Sequence, residues 1–191
     1  MDNRKFVLNA DQLRKGKGLR VKGKVKRNDI YIVLDNVLDT YNVGSIFRLA
    51  DAVAAKKIYI CGQSEVPPNH RIKKASINTT EVVDWEYCET ALEAVSRVKR
   101  KAESLPAGKA GVKIIAVEQT AKSIQYDKFE YKLPVCLIVG HESFGVSKEV
   151  LDISDAVVEL PMFGVNKSLN VMVSLGIVLY EVIESQETGR N

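Results

Sequence analysis

The sequence predicts an α/β domain built on a mostly parallel sheet with helices on both faces. Continuous apolar runs of strand length recur along the chain, as is typical of strands buried inside a parallel sheet. The first strand, helix and second strand fit into 33 residues, the length of a βαβ unit with a right-handed crossover. With 191 residues, the chain is long enough to bury the core of one domain.

The first half of the chain alternates predicted strands and helices. A helix that begins near Asn42 has Val43, Ile46, Phe47 and Ala50 along one buried stripe. Residues 63–78 contain two prolines and several basic residues, and we expect a long polar loop there. The other predicted elements are a short helix at 6–15, strands at 30–35 and 57–62, and an extended segment around Trp85, which we interpret as a core anchor.

The second half continues the same alternation. An amphipathic helix at 89–103 precedes predicted strands at 112–118, 134–140 and 156–160, with a short helix near 147–154. The last helix is predicted to begin at Ser168 and is apolar around nearly its full circumference. Such a helix is either buried or in contact with another subunit, and Gly176 would permit close approach of a partner backbone.

Positive charge is concentrated at the N-terminus. Residues 1–27 carry a net charge of +8, whereas the whole chain has +4. We therefore divide the chain into a basic arm at 1–28 and a domain at 29–191. A basic arm beside a near-neutral body suggests a polyanion such as nucleic acid, although a solvated tail without a partner explains the charge equally well.

Composition indicates a protein of a reducing compartment, without a metal site. The three cysteines, Cys61, Cys88 and Cys136, are far apart in sequence and form no metal-binding motif with His70 and His141. We expect them to be small core residues. No apolar run reaches the ~20 residues that a membrane span needs, and no signal peptide is evident, so we predict a cytoplasmic protein.

Polar clusters follow three of the predicted strands, after Asp35, Val139 and Leu160. In open α/β sheets, ligands bind beyond the carboxyl ends of the strands. The third cluster includes Ser168 and Asn170, at the start of the last helix. Serine and asparagine are preferred helix caps, but helix N-termini also bind ligands, so both roles are open for these two residues.

Three motifs at these positions resemble those of a known family. The sequence has no GxGxxG and no P-loop motif, but it carries NVGSIFR at 42–48, LIVGHESFGVS at 137–147 and LPMFGVNKSLNV at 160–171. In this order and spacing they resemble the motifs of the SpoU (TrmH) branch of the SPOUT RNA methyltransferases. The resemblance implies a C-terminal deep trefoil knot, bound S-adenosylmethionine, a homodimer, and methyl transfer to a ribose 2′-hydroxyl of RNA.

The resemblance also assigns candidate site residues. The catalytic candidates are Asn42, Arg48, Glu142, Ser168 and Asn170; the cofactor-binding candidates are Gly140, Leu160, Met162, Ser168 and Leu169. A guanidinium stays protonated in proteins, so we interpret Arg48 as a donor that stabilises the developing alkoxide and binds phosphate, unless it pairs with Asp51. We expect Glu142 to brace the first motif by accepting a hydrogen bond from Asn42 or Arg48. The candidate RNA-binding residues are Arg14, Lys15, Lys17, Arg20, Arg71, Lys73 and Lys74.

Two other functions remain open at this stage. One is a non-catalytic RNA-binding or ribosome-assembly factor that retains the fold, and the other is a methyltransferase that acts on a base. The sequence does not identify the RNA or the nucleotide. Transfer RNA is slightly favoured over ribosomal RNA, because a separate globular RNA-binding domain is not evident before the first predicted strand.

Overall fold

A seven-stranded parallel sheet forms the centre of the protein. The computed structural model describes residues 6–103 and 111–188. The strands are β1 Asn28–Asp35, β2 Ala55–Cys61, β3 Trp85–Cys88, β4 Lys113–Val117, β5 Ile124–Gln125, β6 Val135–Gly140 and β7 Ala156–Glu159. Their order is β3-β2-β1-β6-β4-β7-β5, and neighbouring strands pair in parallel. The predicted parallel α/β fold is therefore confirmed, and the knot stays a prediction.

Helices cover both faces of this sheet. They are α1 Ala10–Arg14, α2 Thr40–Ala52, α3 His70–Ser76, α4 Ala91–Glu103, α5 Lys148–Ile153 and α6 Val171–Thr188. Alternate residues of β1 reach opposite cores: Ile32 and Leu34 pack with residues of α2 and α6, whereas Tyr31 and Val33 pack with residues of α4 and α5. All these side chains are buried, as the continuous apolar runs predicted.

The predicted core residues occupy the expected places. Cys61, Cys88 and Cys136 are buried and free, and burial raises the pKa of each thiol. Trp85 is half-buried and meets Phe47 edge to face, with ring centroids 6.5 Å apart. The cysteines are therefore unreactive packing residues in this fold.

The structure differs from the sequence-based expectation at α3 and α6. The predicted polar loop contains α3, which begins after Asn69, whose side chain accepts hydrogen bonds from the backbone of Arg71 and Ile72. The last helix begins at Val171 rather than at Ser168. It buries one face, including Leu175, whereas other apolar side chains of α6 are partly exposed.

The described part of the basic arm is folded against the domain. Asn9 and Gln12 form a reciprocal capping box at the start of α1. The side chain of Asn78, which follows α3, donates to the backbone oxygens of Leu13 and Arg14, each at 3.3 Å. The first five residues of the predicted arm lie outside the described residues. The C-terminal end of α1 is thereby held beside the segment that follows α3.

Candidate active site

Glu142 connects the loop after β6 to the N-terminus of α2. Its carboxylate accepts hydrogen bonds from the backbone N–H groups of Leu38 (3.1 Å) and Asp39 (3.0 Å) and from Nδ2 of Asn42 (2.9 Å). Asp39 in turn caps α2 by accepting from the backbone of Tyr41 at 2.8 Å. The bracing role expected for Glu142 therefore has a specific geometry, in which one carboxylate fixes the turn that presents the first motif.

Asn42 extends this contact to the start of α6. Its Oδ1 accepts from Nδ2 of Asn170 at 3.0 Å, and Oδ1 of Asn170 accepts from the backbone N–H groups of Met172 and Val173. Asn170, and not Ser168, is therefore the cap of α6. Three of the predicted catalytic residues form one hydrogen-bonded chain, Glu142–Asn42–Asn170, that joins all three motifs.

The hydrogen bonds to Glu142 lower the pKa of its carboxyl group. Partial burial raises the pKa of its carboxyl group, but the hydrogen bonds from Asn42 and from the backbone of Asp39 and Leu38 outweigh that effect, so that the pKa lies below its ordinary value. A carboxylate with a lowered pKa and three donors is a poor proton acceptor. These contacts favour the predicted bracing role of Glu142 over that of a general base.

Two acidic residues that the sequence analysis did not select hold neighbouring loops. Asp35, at the end of β1, accepts from the backbone of Ser147 (2.8 Å) and from the side chain of Asn36 (2.9 Å). Glu118, just after β4, accepts from the backbone of Val146 at 2.9 Å. Both lie at carboxyl ends of strands, which is the one sequence signal that could have identified them.

The loop after β6 is a tight hairpin. His141 and Gly145 exchange backbone hydrogen bonds of 3.0 and 2.8 Å, and Gly145 has φ +70°, a conformation that favours glycine. A Cβ atom on Gly140 would overlap the backbone of Gly145, and one on Gly145 would overlap the carboxylate of Glu118. Glycine at both positions therefore lets this hairpin close against the strand end.

A cavity of ≈ 650 Å³ opens beside the hairpin. Its size is within the range of cofactor pockets. All five predicted cofactor-binding residues line it, and so do Glu118, Glu142 and Asn170; the five are Gly140, Leu160, Met162, Ser168 and Leu169. The structure thus brings together residues from the second and third motifs that are distant in sequence.

The lining of the cavity fits S-adenosylmethionine. Leu160 and Met162 supply apolar surface, and Glu118 and Glu159 supply carboxylates of the sign that suits a cationic ligand. Gly140 lines the cavity, and its lack of a side chain lets the hairpin pack directly against the end of β6. Among residues 6–103 and 111–188, no cluster of histidine, cysteine and acidic side chains could hold a metal ion.

Arg48 lies outside this cavity, on the exposed face of α2. The alternative pair with Asp51 is not formed, because Asp51 contacts Arg27 instead, with 3.4 Å between Oδ1 and Nη1. Within the described residues, no hydrogen bond or ion pair occupies the Arg48 guanidinium. Its donors are therefore available to an anionic ligand.

The predicted RNA-binding cations lie on two elements that the fold brings together. Arg71, Lys73 and Lys74 are exposed on α3, and the arm cations lie on α1 and the helical turn that follows. Gly44 of α2 allows α3 to pack closely, because a Cβ there would lie 2.6 Å from Cβ of Ala75. The cations of α3 consequently lie on the helix packed next to the one that carries Arg48.

Comparison with known proteins agrees with this site. The SpoU rRNA Methylase family matches residues 29–180. A tRNA (guanosine(18)-2′-O)-methyltransferase of Aquifex aeolicus (strain VF5) is 31% identical over 174 residues, 90% of this chain and 76% of the relative. A 23S rRNA (guanosine-2′-O-)-methyltransferase, RlmB of Ralstonia nicotianae, is 27% identical over 181 residues, 95% of this chain and 66% of that protein.

One similar solved structure is described as binding the cofactor. The AdoMet-bound rRNA methyltransferase from Sinorhizobium meliloti superposes with a TM-score of 0.71 and 29% identity, covering 83% of this chain and 57% of that one. Part of each relative therefore has no counterpart in the aligned region. The region that matches the family, residues 29–180, contains all three motifs and the Glu142–Asn42–Asn170 chain between them. This protein belongs to the SpoU rRNA methylase family.

Proposed function

We propose that the protein transfers a methyl group from S-adenosylmethionine to a ribose 2′-hydroxyl of tRNA or rRNA. The observation that carries this proposal is the Glu142–Asn42–Asn170 chain, which fixes the helix bearing Arg48 beside the cavity. Family membership and the AdoMet-bound neighbour support the cofactor. Residues 29–191 would form the methyltransferase unit, and residues 1–28 its basic arm.

The cavity residues would hold the methyl donor. Gly140 and Leu160 would contribute backbone groups, Met162 and Leu169 apolar contacts, and Ser168 a hydroxyl. When bound, S-adenosylmethionine supplies an already activated methyl group, so the protein mainly has to align the reactants and exclude water.

Arg48 would act on the acceptor. Its exposed guanidinium can donate to a phosphate and to the oxygen of the ribose as that oxygen becomes negative. Glu142 is committed to three donors, so we assign proton removal to an RNA phosphate or to water. The hydrogen bond between Asn42 and Asn170 would hold Arg48 on α2 at a fixed position relative to the cofactor cavity.

Both RNA classes are represented among the named relatives. We place tRNA ahead of rRNA because this chain aligns with a larger share of the Aquifex relative, which is named for tRNA. The aligned share is 76% of that protein, against 66% of the Ralstonia relative, which is named for rRNA. The exposed cations of α3 and the arm would bind the phosphate backbone.

We also propose a homodimer that forms through α6. Val173, Ile177 and Tyr180 make an exposed or partly exposed strip along this helix, at spacings of four and three residues. Gly176 packs against Leu49 of the same chain. Gly176 thus already has a neighbour within its own chain, and we place the proposed interface on the adjacent strip of Val173, Ile177 and Tyr180.

A cytoplasmic location completes the proposal, because RNA substrates and reduced cysteines are both found there. In the described part of the chain, no helix has the length and apolar character needed to cross a membrane.

The test combines cofactor binding with methyl transfer. The protein is titrated with S-adenosylmethionine in a calorimeter, then incubated with methyl-labelled cofactor and total RNA. We expect binding and label in 2′-O-methylated nucleosides after digestion. Cofactor binding without labelled RNA would reject the activity, label on a base would identify a base methyltransferase, and RNA binding without cofactor binding would indicate an assembly factor.

A further inference from the structure

Tyr41 is an exposed aromatic residue in the first turn of α2. Its side chain is 48% exposed, and the neighbouring Leu38 is 40% exposed. The backbone around them is firmly held, since Asp39 caps the backbone N–H of Tyr41 and Glu142 accepts from Leu38 and Asp39. Leu38 and Tyr41 therefore form an apolar surface on a rigid turn, which we call the platform.

This platform shares a helix face with Arg48. Gly44 packs against α3 and Leu49 packs against Gly176 of α6, so the exposed strip of α2 lies between those two helices. Tyr41 and Arg48 both lie on that strip. They are seven residues apart, which is about two turns or ~10 Å along the helix axis.

The surroundings of Tyr41 favour RNA over protein as its partner. The strip also contains the half-buried Ser45, and the exposed cations Arg71 and Lys74 lie on α3, the helix packed next to it. Protein interfaces are depleted of charge at their centre, whereas single-stranded RNA is bound by aromatic side chains among cations. The strip of Val173, Ile177 and Tyr180 on α6 is a better candidate for a protein interface than the surface around Tyr41.

We propose that Tyr41 stacks on a base of the RNA next to the nucleotide that is methylated, and thereby positions the target ribose at Arg48. The inference rests on the proposed function and adds to it a residue that selects unpaired nucleotides. A duplex keeps its bases stacked on one another, so the target nucleotide would lie in a loop or another unpaired segment.

The test compares Tyr41→Ala, Tyr41→Phe and the control Tyr87→Ala, which removes a tyrosine of similar exposure (45%) from β3. The probe is total RNA from cells that lack this protein. For Tyr41→Ala we expect about a tenfold rise in the RNA dissociation constant and in the apparent KM, because base stacking has this order of effect. S-adenosylmethionine affinity should stay unchanged, and Tyr41→Phe should retain RNA binding.

Two results would overturn the inference. One is RNA binding by Tyr41→Ala equal to that of the wild type; the other is a shift of the Tyr41→Ala protein from dimer to monomer in sedimentation, which would place Tyr41 in the subunit interface. RNA binding is measured separately from methyl transfer. A wild type that binds RNA without methylating it would therefore reject the proposed activity while still testing Tyr41.

Discussion

Asn170 donates a 3.0 Å hydrogen bond to Asn42 across 128 residues of sequence. Asn42 is only 5% exposed and also donates to Glu142. The amide group is matched to this position, since one end must accept and the other must donate. The contact therefore adds a buried polar link between α2 and α6 to their apolar packing, which includes Leu49 against Gly176.

Asn42→Ala should weaken both the fold and the site. It leaves Glu142 without one of its donors and Asn170 without its acceptor, and a lost hydrogen bond to a charged group costs about 1.5–3 kcal/mol. We expect a lower free energy of unfolding in denaturant titrations and weaker S-adenosylmethionine binding. Asn42→Asp should be worse, because it places a second carboxylate beside Glu142; equal stability of wild type and both variants would contradict the role.

Arg48→Ala should abolish most methyl transfer without changing cofactor affinity. Removing one donor that stabilises a developing oxyanion typically lowers kcat about 10²–10³-fold. Arg48 does not line the cavity, so calorimetry with S-adenosylmethionine should match the wild type. Arg100→Ala, an exposed arginine of α4, is the matched control. A kcat of Arg48→Ala close to that of the control would remove Arg48 from the mechanism.

Gly140→Ala should close the cofactor cavity. The added Cβ overlaps the backbone of Gly145, so the hairpin has to move. We expect a lower Tm and at least a tenfold loss of S-adenosylmethionine affinity, measured by thermal unfolding and calorimetry. Gly23→Ala is the control, because its Cβ would meet no atom within 4 Å and Gly23 does not line the cavity. Similar losses in both variants would show that the effect is not specific to the cavity.

Glu142 should make stability depend on pH in a defined direction. Its pKa in the folded protein lies below the ordinary value of 4.5, so the stabilisation is present above about pH 4.5 and is lost as the pH falls through the folded value. The difference in Tm between wild type and Glu142→Gln should therefore be constant between about pH 6 and about pH 7. It should shrink below about pH 4. The exposed Glu149→Gln is the control; a difference that grows on acidification would contradict the prediction.

Lys73→Ala and Lys74→Ala should weaken RNA binding through phosphate contacts. Each should reduce the slope of log affinity against log salt by about 1, with little change in nucleotide preference. Filter binding over a salt series measures this slope. Lys148→Ala is a control, since Lys148 lies on α5 rather than on α3 and its ammonium is paired with Asp152 of the same helix. An unchanged slope in the α3 variants would place the RNA elsewhere.

The sheet was predictable because buried parallel strands leave a plain signal. The runs that contain Ile32, Ile115 and Ile138 are apolar on both faces, and each forms a strand within about two residues of the expected bounds. The helix α3 was missed because its residues are mostly polar and basic. Its start depends on one capping side chain, Asn69, within a segment that otherwise resembles a loop.

One contact of the candidate site was expected from the sequence, the hydrogen bond that Glu142 accepts from Asn42, whereas the other contacts were not. The motifs identified Asn42, Glu142 and Asn170, whereas the sequence placed the helix start at Ser168 because serine and asparagine cap equally well. Asp35 and Glu118 escaped notice, since a carboxylate that holds a loop has no periodic pattern. Their partners, Ser147 and Val146, are brought to them only by the strand order.

The cap of α6 has a thermodynamic consequence. Asn170 lines the cavity and at the same time holds Asn42, so any ligand that orders the first turn of α6 also stabilises the turn of α2 that carries Tyr41. Coupling free energies are reciprocal: if the methyl donor raises the affinity for RNA, then RNA raises the affinity for the donor by the same factor. A single amide pair would thus favour simultaneous binding of both ligands.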